Sequence, residues 1–476
     1  MKGTTIFWFR QDLRLKDNPA LSAAILNGDT IPLFILDDET PKEWRLGAAS
    51  RWWLHHSLIS LDNSLNGNLW IERGDPEKIL TRMLKQTDAK SVHWNRCYEP
   101  WQIARDKKIK TTLTNLGSSV ESHKGCLLWE PWTTLKKDDT PYKVFTPFYK
   151  NGLSTQPSPN EPLSAPSINK LIECPMPKDK ISALKLLPEQ AWAESIGKDW
   201  VPGETSAHAK LDKFLTHGIH KYQEGRNIPE RSSVSRLSPH LKFGEISPNF
   251  VTWHVVKASR STQIDKSEAE HFIRELIWRE FSYSLLYYFP TITNQNFKTN
   301  FTKFPWRRDE KALKLWQEGK TGYPIVDAGM RELWATGYMH NRVRMIVASF
   351  LTKNLMLHWI QGARWFWDCL LDADLASNSC SWQWVAGTGA DAAPYFRIFN
   401  PVTQSQKFDP NGTYIKKFLP ELASVPDRYI HDPSNAPEGE LLRAGVKLGV
   451  QYPLAILDLK ETRTRALEAY KGMSSA

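Results

Sequence analysis

Cysteine is scarce in this chain and never clustered. Cys97, Cys126, Cys174, Cys369 and Cys380 form no CxxC pair and no Cys/His group, which excludes a disulfide framework and a cysteine-ligated zinc site. Their odd number and dispersal suit a reducing compartment. Long apolar runs are missing too, so nothing approaches the roughly 20 uncharged residues that a membrane span needs. The amino-terminal MKGTTIFWFRQDLRL meets charge within its first ten residues and lacks a signal-peptide core. A soluble, cytoplasmic protein with no membrane partner is expected. The first strand-like run, TIFWF, is not followed by GxGxxG, so the dinucleotide fingerprint is absent and no nicotinamide is placed there. No internal repeat is visible, and no metal is expected.

What the chain has in excess is cation and indole. Against 52 Asp+Glu stand 62 Lys+Arg, a formal net charge of +10 that favours a polyanionic partner, although the excess is spread along the chain and a merely basic surface gives the same balance. Twenty-one tryptophans in 476 residues point to stacking surfaces or a chromophore as well as core. The length allows two or three domains with a sizeable core.

Strand-like and helix-like runs alternate over residues 1–130: TIFWF, NPALSAAIL, TIPLFIL, ASRWWLHHSLISLDNSL, NLWIE, GDPEKILTRMLKQ, SVHWN and SSVES. Asp75 is placed to cap the sixth of these and Pro76 opens it. That alternation predicts a parallel α/β, Rossmann-like domain. Residues 131–204 read as an interdomain linker, with prolines scattered through STQPSPNEPLSAPS, CPMPKDK and KLLPEQ. From 205 to 476 helical periodicity dominates, as in SEAEHFIRELIWREFSYSLLYYF, so a helical domain follows.

Three segments could carry chemistry. In ELIWRE, Glu275, Trp278 and Arg279 fall on adjoining positions of one helical face, and Asn341, Arg344 and Met345 in HNRVRM repeat the spacing. Two such faces around one cavity could grip a planar polar ligand, amide and acid to its edges, ring and thioether to its faces. Core packing with surface ion pairs gives the same pattern. RSSVSRLSPHL offers hydroxyls and backbone N–H groups beside Arg231 and Arg236 for a pyrophosphate, or simply a capped helix start. DADLASNSCSWQW sets Asp372 and Asp374, Asn378, and Trp382 and Trp384 close together, either as cap, turn and core or as a cofactor site with a fixed Asp–Arg pair.

Taken together, WFRQDLRLKDNPAL, SSVSRLSPHL, ELIWREF, MHNRVRM, DADLASN followed by WQW, and DAAPYFRIFNPVTQSQKFDPNGTYIKKFLPEL resemble the photolyase/cryptochrome family, in order from about residue 4 to about residue 470. Within it they are most similar to bacterial class I cyclobutane pyrimidine dimer photolyases. The resemblance implies an amino-terminal α/β antenna-binding domain, a long linker and a carboxy-terminal helical domain that binds FAD and DNA. It assigns Tyr222, Ser233, Val234, Ser235, Arg236, Leu237 and Ser238 to the FAD phosphates. Phe272, Arg344, Asp372, Ala373, Asp374 and Asn378 are assigned to the rest of the cofactor, with the neutral Asn378 amide facing the flavin N5. Glu275, Trp278, Arg279, Asn341, Arg342, Met345, Trp384 and Gln404 are assigned to lesion and DNA. Trp382, Trp359 and Trp306 are assigned to a chain of indoles that carries electrons to photoexcited oxidised flavin.

The implied activity is light-driven repair. Excited reduced FAD gives an electron to a flipped-out pyrimidine dimer in DNA, its cyclobutane bonds break, and the electron returns, with Glu275 hydrogen-bonding the dimer. Glu99 matches an antenna contact, which suits 5,10-methenyltetrahydrofolate, with a deazaflavin or a second flavin as alternatives. A monomer is expected. Two departures stand out: Cys380 and Ser381 precede WQW where bacterial relatives often have glycines, and Phe272 stands where many carry tryptophan. The alternatives are a cryptochrome photoreceptor, disfavoured by Asn378 and by a chain ending at Ala476 without a long tail, and a (6-4) photolyase, which usually shows two histidines where this chain has His340 and Asn341. A non-catalytic nucleic-acid-binding module explains the charge but not the tryptophans.

Overall fold

Each short apolar run of the first 130 residues forms a strand of one parallel sheet. The strands are β1 (Thr5–Phe9), β2 (Thr30–Leu36), β3 (Trp70–Arg73), β4 (Ser91–Asn95) and β5 (Ser119–His123), in the order β3-β2-β1-β4-β5. This computed structural model describes residues 3–174, 180–187 and 195–475. Phe7 lies opposite Pro32 of β2 and His93 of β4, so β1 is the central strand and both its faces are covered. Phe7, Phe9, Phe34 and Leu36 pack on one side against helices Pro19–Asn27 and Ala48–Ser64, while Ile6, Trp8, Ile31 and Leu33 pack on the other against Pro76–Thr87 and Pro100–Asn115. Asp75 caps its helix by accepting the Glu77 N–H at 2.9 Å, with Pro76 at the first position.

In such sheets the crevice where strand order reverses commonly takes a ligand. Here Arg10 fills that crevice: it stacks 4.7 Å from Trp8 and bonds Asp106 and the Asn95 carbonyl.

The connector is more ordered at its start than its proline content suggests. Helix Phe145–Thr155 buries Phe145 and Phe148 in the helical core, so this part of 131–204 packs as structure. The stretches CPMPKDK and KLLPEQ lie partly outside the described residues. Helices, among them Glu204–Lys213, then follow one another to Leu459–Ser475. No helix among the described residues is long and apolar enough to cross a membrane.

One buried carboxylate ties the two halves together. Glu245 accepts from Trp53 Nε1 at 3.1 Å, Ser57 Oγ at 2.6 Å and the Gly203 N–H at 2.7 Å, and also pairs with His240. Beside it, Gly244 turns at φ 68°, and a Cβ there would collide with the Gln11 carbonyl of the sheet domain. The helical domain is thus fixed against the loop that follows β1.

Candidate active site

A cavity of about 630 Å³ opens in the helical domain, walled by helices Lys266–Tyr288, Asn341–Ser349 and Leu375–Ala386. The first helix starts where Asp265 caps it, the second where the His340 ring accepts the Arg342 N–H, and the third where Asp374 accepts the Ser377 N–H at 2.7 Å. Three capped starts therefore aim the predicted residues at one space.

Its floor is charged and fixed. Arg344 Nη2 donates to Asp372 Oδ2 at 2.9 Å and Nε to the Met339 carbonyl at 2.7 Å, and Ser238 Oγ donates to the same Asp372 oxygen at 2.6 Å. The other carboxylate oxygen, Asp372 Oδ1, is buried without a hydrogen-bond partner. Asp374 also accepts the Tyr283 hydroxyl proton; burial opposes its charge, yet Lys242 and Arg279 hold the carboxyl below the usual aspartate range. Asn378 Nδ2 donates to the Ala363 carbonyl at 3.0 Å, which fixes the amide.

The mouth is aromatic and polar. Glu275, Trp278, Asn341, Met345 and Trp384 all line the cavity, so the two helical faces read from the sequence do meet. Trp278 lies flat on Phe145, centroids 3.7 Å apart and planes 6° apart. Glu275 is ion-paired with Arg226, and Arg342 bonds Asn227. Phe272 lies behind Tyr222 and Phe214, so phenylalanine rather than tryptophan forms that wall.

Behind the floor runs a line of indoles. Trp382 is buried, edge-on to Phe366 at 4.9 Å, and its ring fills the space a Cβ at Gly362 would need. Gly362 lies one turn along helix Trp359–Cys369 from Trp359, which is fully buried and donates to Asn296 Oδ1 at 2.8 Å. His358 lies between Trp359 (5.6 Å) and Trp306 (5.1 Å), and Trp306 is part-exposed. The three run from cavity toward surface.

Some expected contacts lie elsewhere. Of the serine-rich run, Ser235 and Ser238 reach the cavity; Ser233 packs on Gly225, Leu237 is core, and Arg236, at φ 53°, lies over Trp200 at 4.2 Å. Val234 and Gln404 are not among the cavity-lining residues described. Arg279 lines the cavity, and its Nη1 donates to the Cys126 carbonyl at 3.0 Å and lies 3.2 Å from Glu280, contacts that brace the wall. Glu99 is buried, taking Gln11 at 3.2 Å and Lys242 at 3.6 Å, and offers no open surface to an antenna. Arg226, Lys242, Tyr283 and Phe145 were missed. Their partners lie far away in sequence, so no local spacing exposes them.

The comparisons with known proteins show the family. A family described as "FAD binding domain of DNA photolyase" matches residues 272–472, and one described as "DNA photolyase" matches residues 5–167. The chain is 48% identical to a deoxyribodipyrimidine photo-lyase of Agrobacterium fabrum, over 98% of this chain and 97% of that protein. It is 37% identical to cryptochrome-1 of Arabidopsis thaliana, over 99% of this chain and 70% of that one. The crystal structure of a bacterial class III photolyase from Agrobacterium tumefaciens superposes with a TM-score of 0.94 at 46% identity, covering 100% of this chain and 98% of that one. The motifs pointed to class I, so the subclass is where they and this likeness part.

Proposed function

The chain belongs to the photolyase/cryptochrome family, and from that premise we propose that it is a deoxyribodipyrimidine photo-lyase that splits cyclobutane pyrimidine dimers in DNA with light. The observation that carries this reading is the mouth of the cavity, where Glu275, Trp278, Asn341, Met345 and Trp384 surround one opening above the Arg344–Asp372 pair.

FAD fits the residues below. The buried Asp372 Oδ1 lacks a protein donor, which suits a group that meets a ligand hydroxyl or N–H. Tyr222, Ser235, Ser238, Phe272, Arg344, Asp372, Ala373, Asp374 and Asn378 would hold the cofactor, polar groups and rings alternating around it. Reduced FAD, when bound, supplies the light-excited electron that opens the dimer.

The chain's own residues do the rest. A dimer inside a duplex is unreachable and must be flipped out, and Trp278 and Trp384 take the faces of the extruded bases. Glu275 accepts hydrogen bonds from the dimer edge, which requires it to loosen from Arg226; Asn341 meets the edge with its amide. Trp382, Trp359 and Trp306 return electrons to the oxidised cofactor from the surface. For the antenna we keep 5,10-methenyltetrahydrofolate, and an added near-ultraviolet band in the absorption spectrum tests it against a deazaflavin. The protein works as a monomer in the cytoplasm, and light scattering on eluted protein tests the oligomeric state.

The decisive experiment mixes reduced protein with a dimer-containing oligonucleotide under blue light. Loss of dimers supports the lyase; dimers that persist while the flavin stays reduced transfer the reading to a cryptochrome photoreceptor.

A further inference from the structure

At the β4–β5 edge of the sheet, away from the cavity, three ligand-type side chains converge. His93 of β4 lies in register with Glu121 of β5, and Asn95 with His123, so all three groups project from one face of the sheet. His93 Nδ1 is 3.4 Å from His123 Nε2 and 3.9 Å from Glu121 Oε2, and His123 Nε2 is 3.8 Å from that carboxylate oxygen. Ligands held at about 2.0–2.2 Å around a tetrahedral ion lie about 3.3–3.6 Å apart, so closing this set takes shifts of a few tenths of an ångström.

The imidazole that anchors the set is buried and has a second polar neighbour. His93 is fully buried, and its other nitrogen, Nε2, lies 3.0 Å from the Asn27 side-chain amide at the end of helix Pro19–Asn27. As placed, Asn27 Nδ2 donates to that nitrogen; coordination through Nδ1 goes with the flipped amide, whose oxygen then accepts the Nε2–H and serves as the second partner of a metal-bound histidine. Glu121 and His123 keep 47% and 23% of their side-chain surface open, which gives an ion an entry path and a water as fourth ligand.

We propose that His93, Glu121 and His123 form a divalent transition-metal site, best matched to Zn²⁺, that fastens the edge strand β5 to β4. The proposal departs from the expectation from the sequence that no metal is bound. A search for neighbouring Cys and His cannot see a site assembled across two strands.

The test uses the full flavin-loaded protein, stripped with chelator and titrated with zinc chloride by calorimetry. One equivalent bound at about micromolar affinity or tighter is expected, with a higher Tm in its presence. His123→Ala is expected to weaken binding by about a hundredfold and Glu121→Gln by about tenfold, and both to shrink the Tm gain at a fixed zinc concentration, His123→Ala the more. Both lie at the solvent-open edge, so folding is checked simply by unchanged flavin content and circular dichroism. Absence of stoichiometric binding overturns the site, as does binding that both variants retain, which would place the ion on other groups such as the cysteines.

Discussion

Trp278 has one face covered and the other open, the arrangement that the proposed stacking of an extruded base requires. Phe145 lies flat against it at 3.7 Å, which leaves the opposite face toward the cavity. Stacking of a base on an aromatic ring is worth roughly 1–3 kcal/mol, so Trp278→Ala is expected to weaken binding of dimer-containing DNA about tenfold to a hundredfold. Undamaged duplex presents no flipped base and is expected to bind unchanged. Phe145→Ala keeps the indole but removes its backing, and a smaller loss of the same selectivity is expected. Anisotropy titrations on both DNAs decide: equal losses would make Trp278 a core residue only. His340 sets a limit of another kind. It is 3% exposed, and burial together with Arg344, Arg342 and Arg226 pushes its pKa down from 6.5 to about 4. As pH falls through 6.5 the unfolded chain takes a proton on this ring, while the folded protein does not until about pH 4. Stability is therefore lost on acidification across that window, by about 2 kcal/mol at about pH 5. His340→Asn keeps a capping acceptor without the titration, so paired urea unfolding is expected to show it gaining about that much on the parent between neutral pH and about pH 5. A constant difference would show the ring does not titrate in this way.

At the scale of elements, helix Leu375–Ala386 joins three tasks through its own period. Asp374 caps it, Asn378 one turn later faces the cavity, and Trp382 one turn further lies against Gly362 of helix Trp359–Cys369. Trp382→Phe is expected to suppress photoreduction of the oxidised flavin at least tenfold, by order of magnitude, while chemically reduced protein keeps its repair activity, because the ring is retained as packing but not as a readily oxidised donor. Transient absorption on both proteins checks this; unchanged photoreduction would remove Trp382 from the path. The same helix shows what a sequence makes legible. Its cap, its turn-by-turn spacing and the resemblance of DADLASN and WQW all sit within neighbouring residues. So do the strands of the sheet, whose apolar runs match the observed elements to within a residue or two. Contacts between distant segments were not legible: Arg226 on Glu275, Phe145 on Trp278 and Lys242 on Glu99 depend on how helices cross. The buried partners of Glu99 and Arg279 are of this kind, Lys242 for the one and the Cys126 carbonyl for the other.

For the molecule as a whole, the net charge of +10 sets affinity for nucleic acid and not for damage. Removing one lysine or arginine that touches a phosphate is expected to weaken damaged and undamaged duplex alike and to reduce the salt slope by about 0.9. On the proposed reading damage selectivity belongs to the cavity, which lies in a helical domain locked against the sheet domain. Glu245 is the centre of that lock, fully buried and shared by the sheet domain through Trp53 and Ser57, by the chain entering the helical domain at Gly203, and by His240. Replacing it with alanine strands several buried donors at once. Breaking a buried network of this kind costs about 3–5 kcal/mol. Glu245→Ala is therefore expected to lower stability by about that amount, and its effect is expected to differ from that of a simple core truncation. Sheet and helical domain lose their shared anchor, so calorimetry is expected to resolve two endotherms in the variant where the parent unfolds in one. Flavin release is expected to follow the helical domain's transition alone. A single endotherm merely shifted to lower temperature would show that the apolar packing of Leu371 and Phe243 against the sheet domain holds the halves together without Glu245.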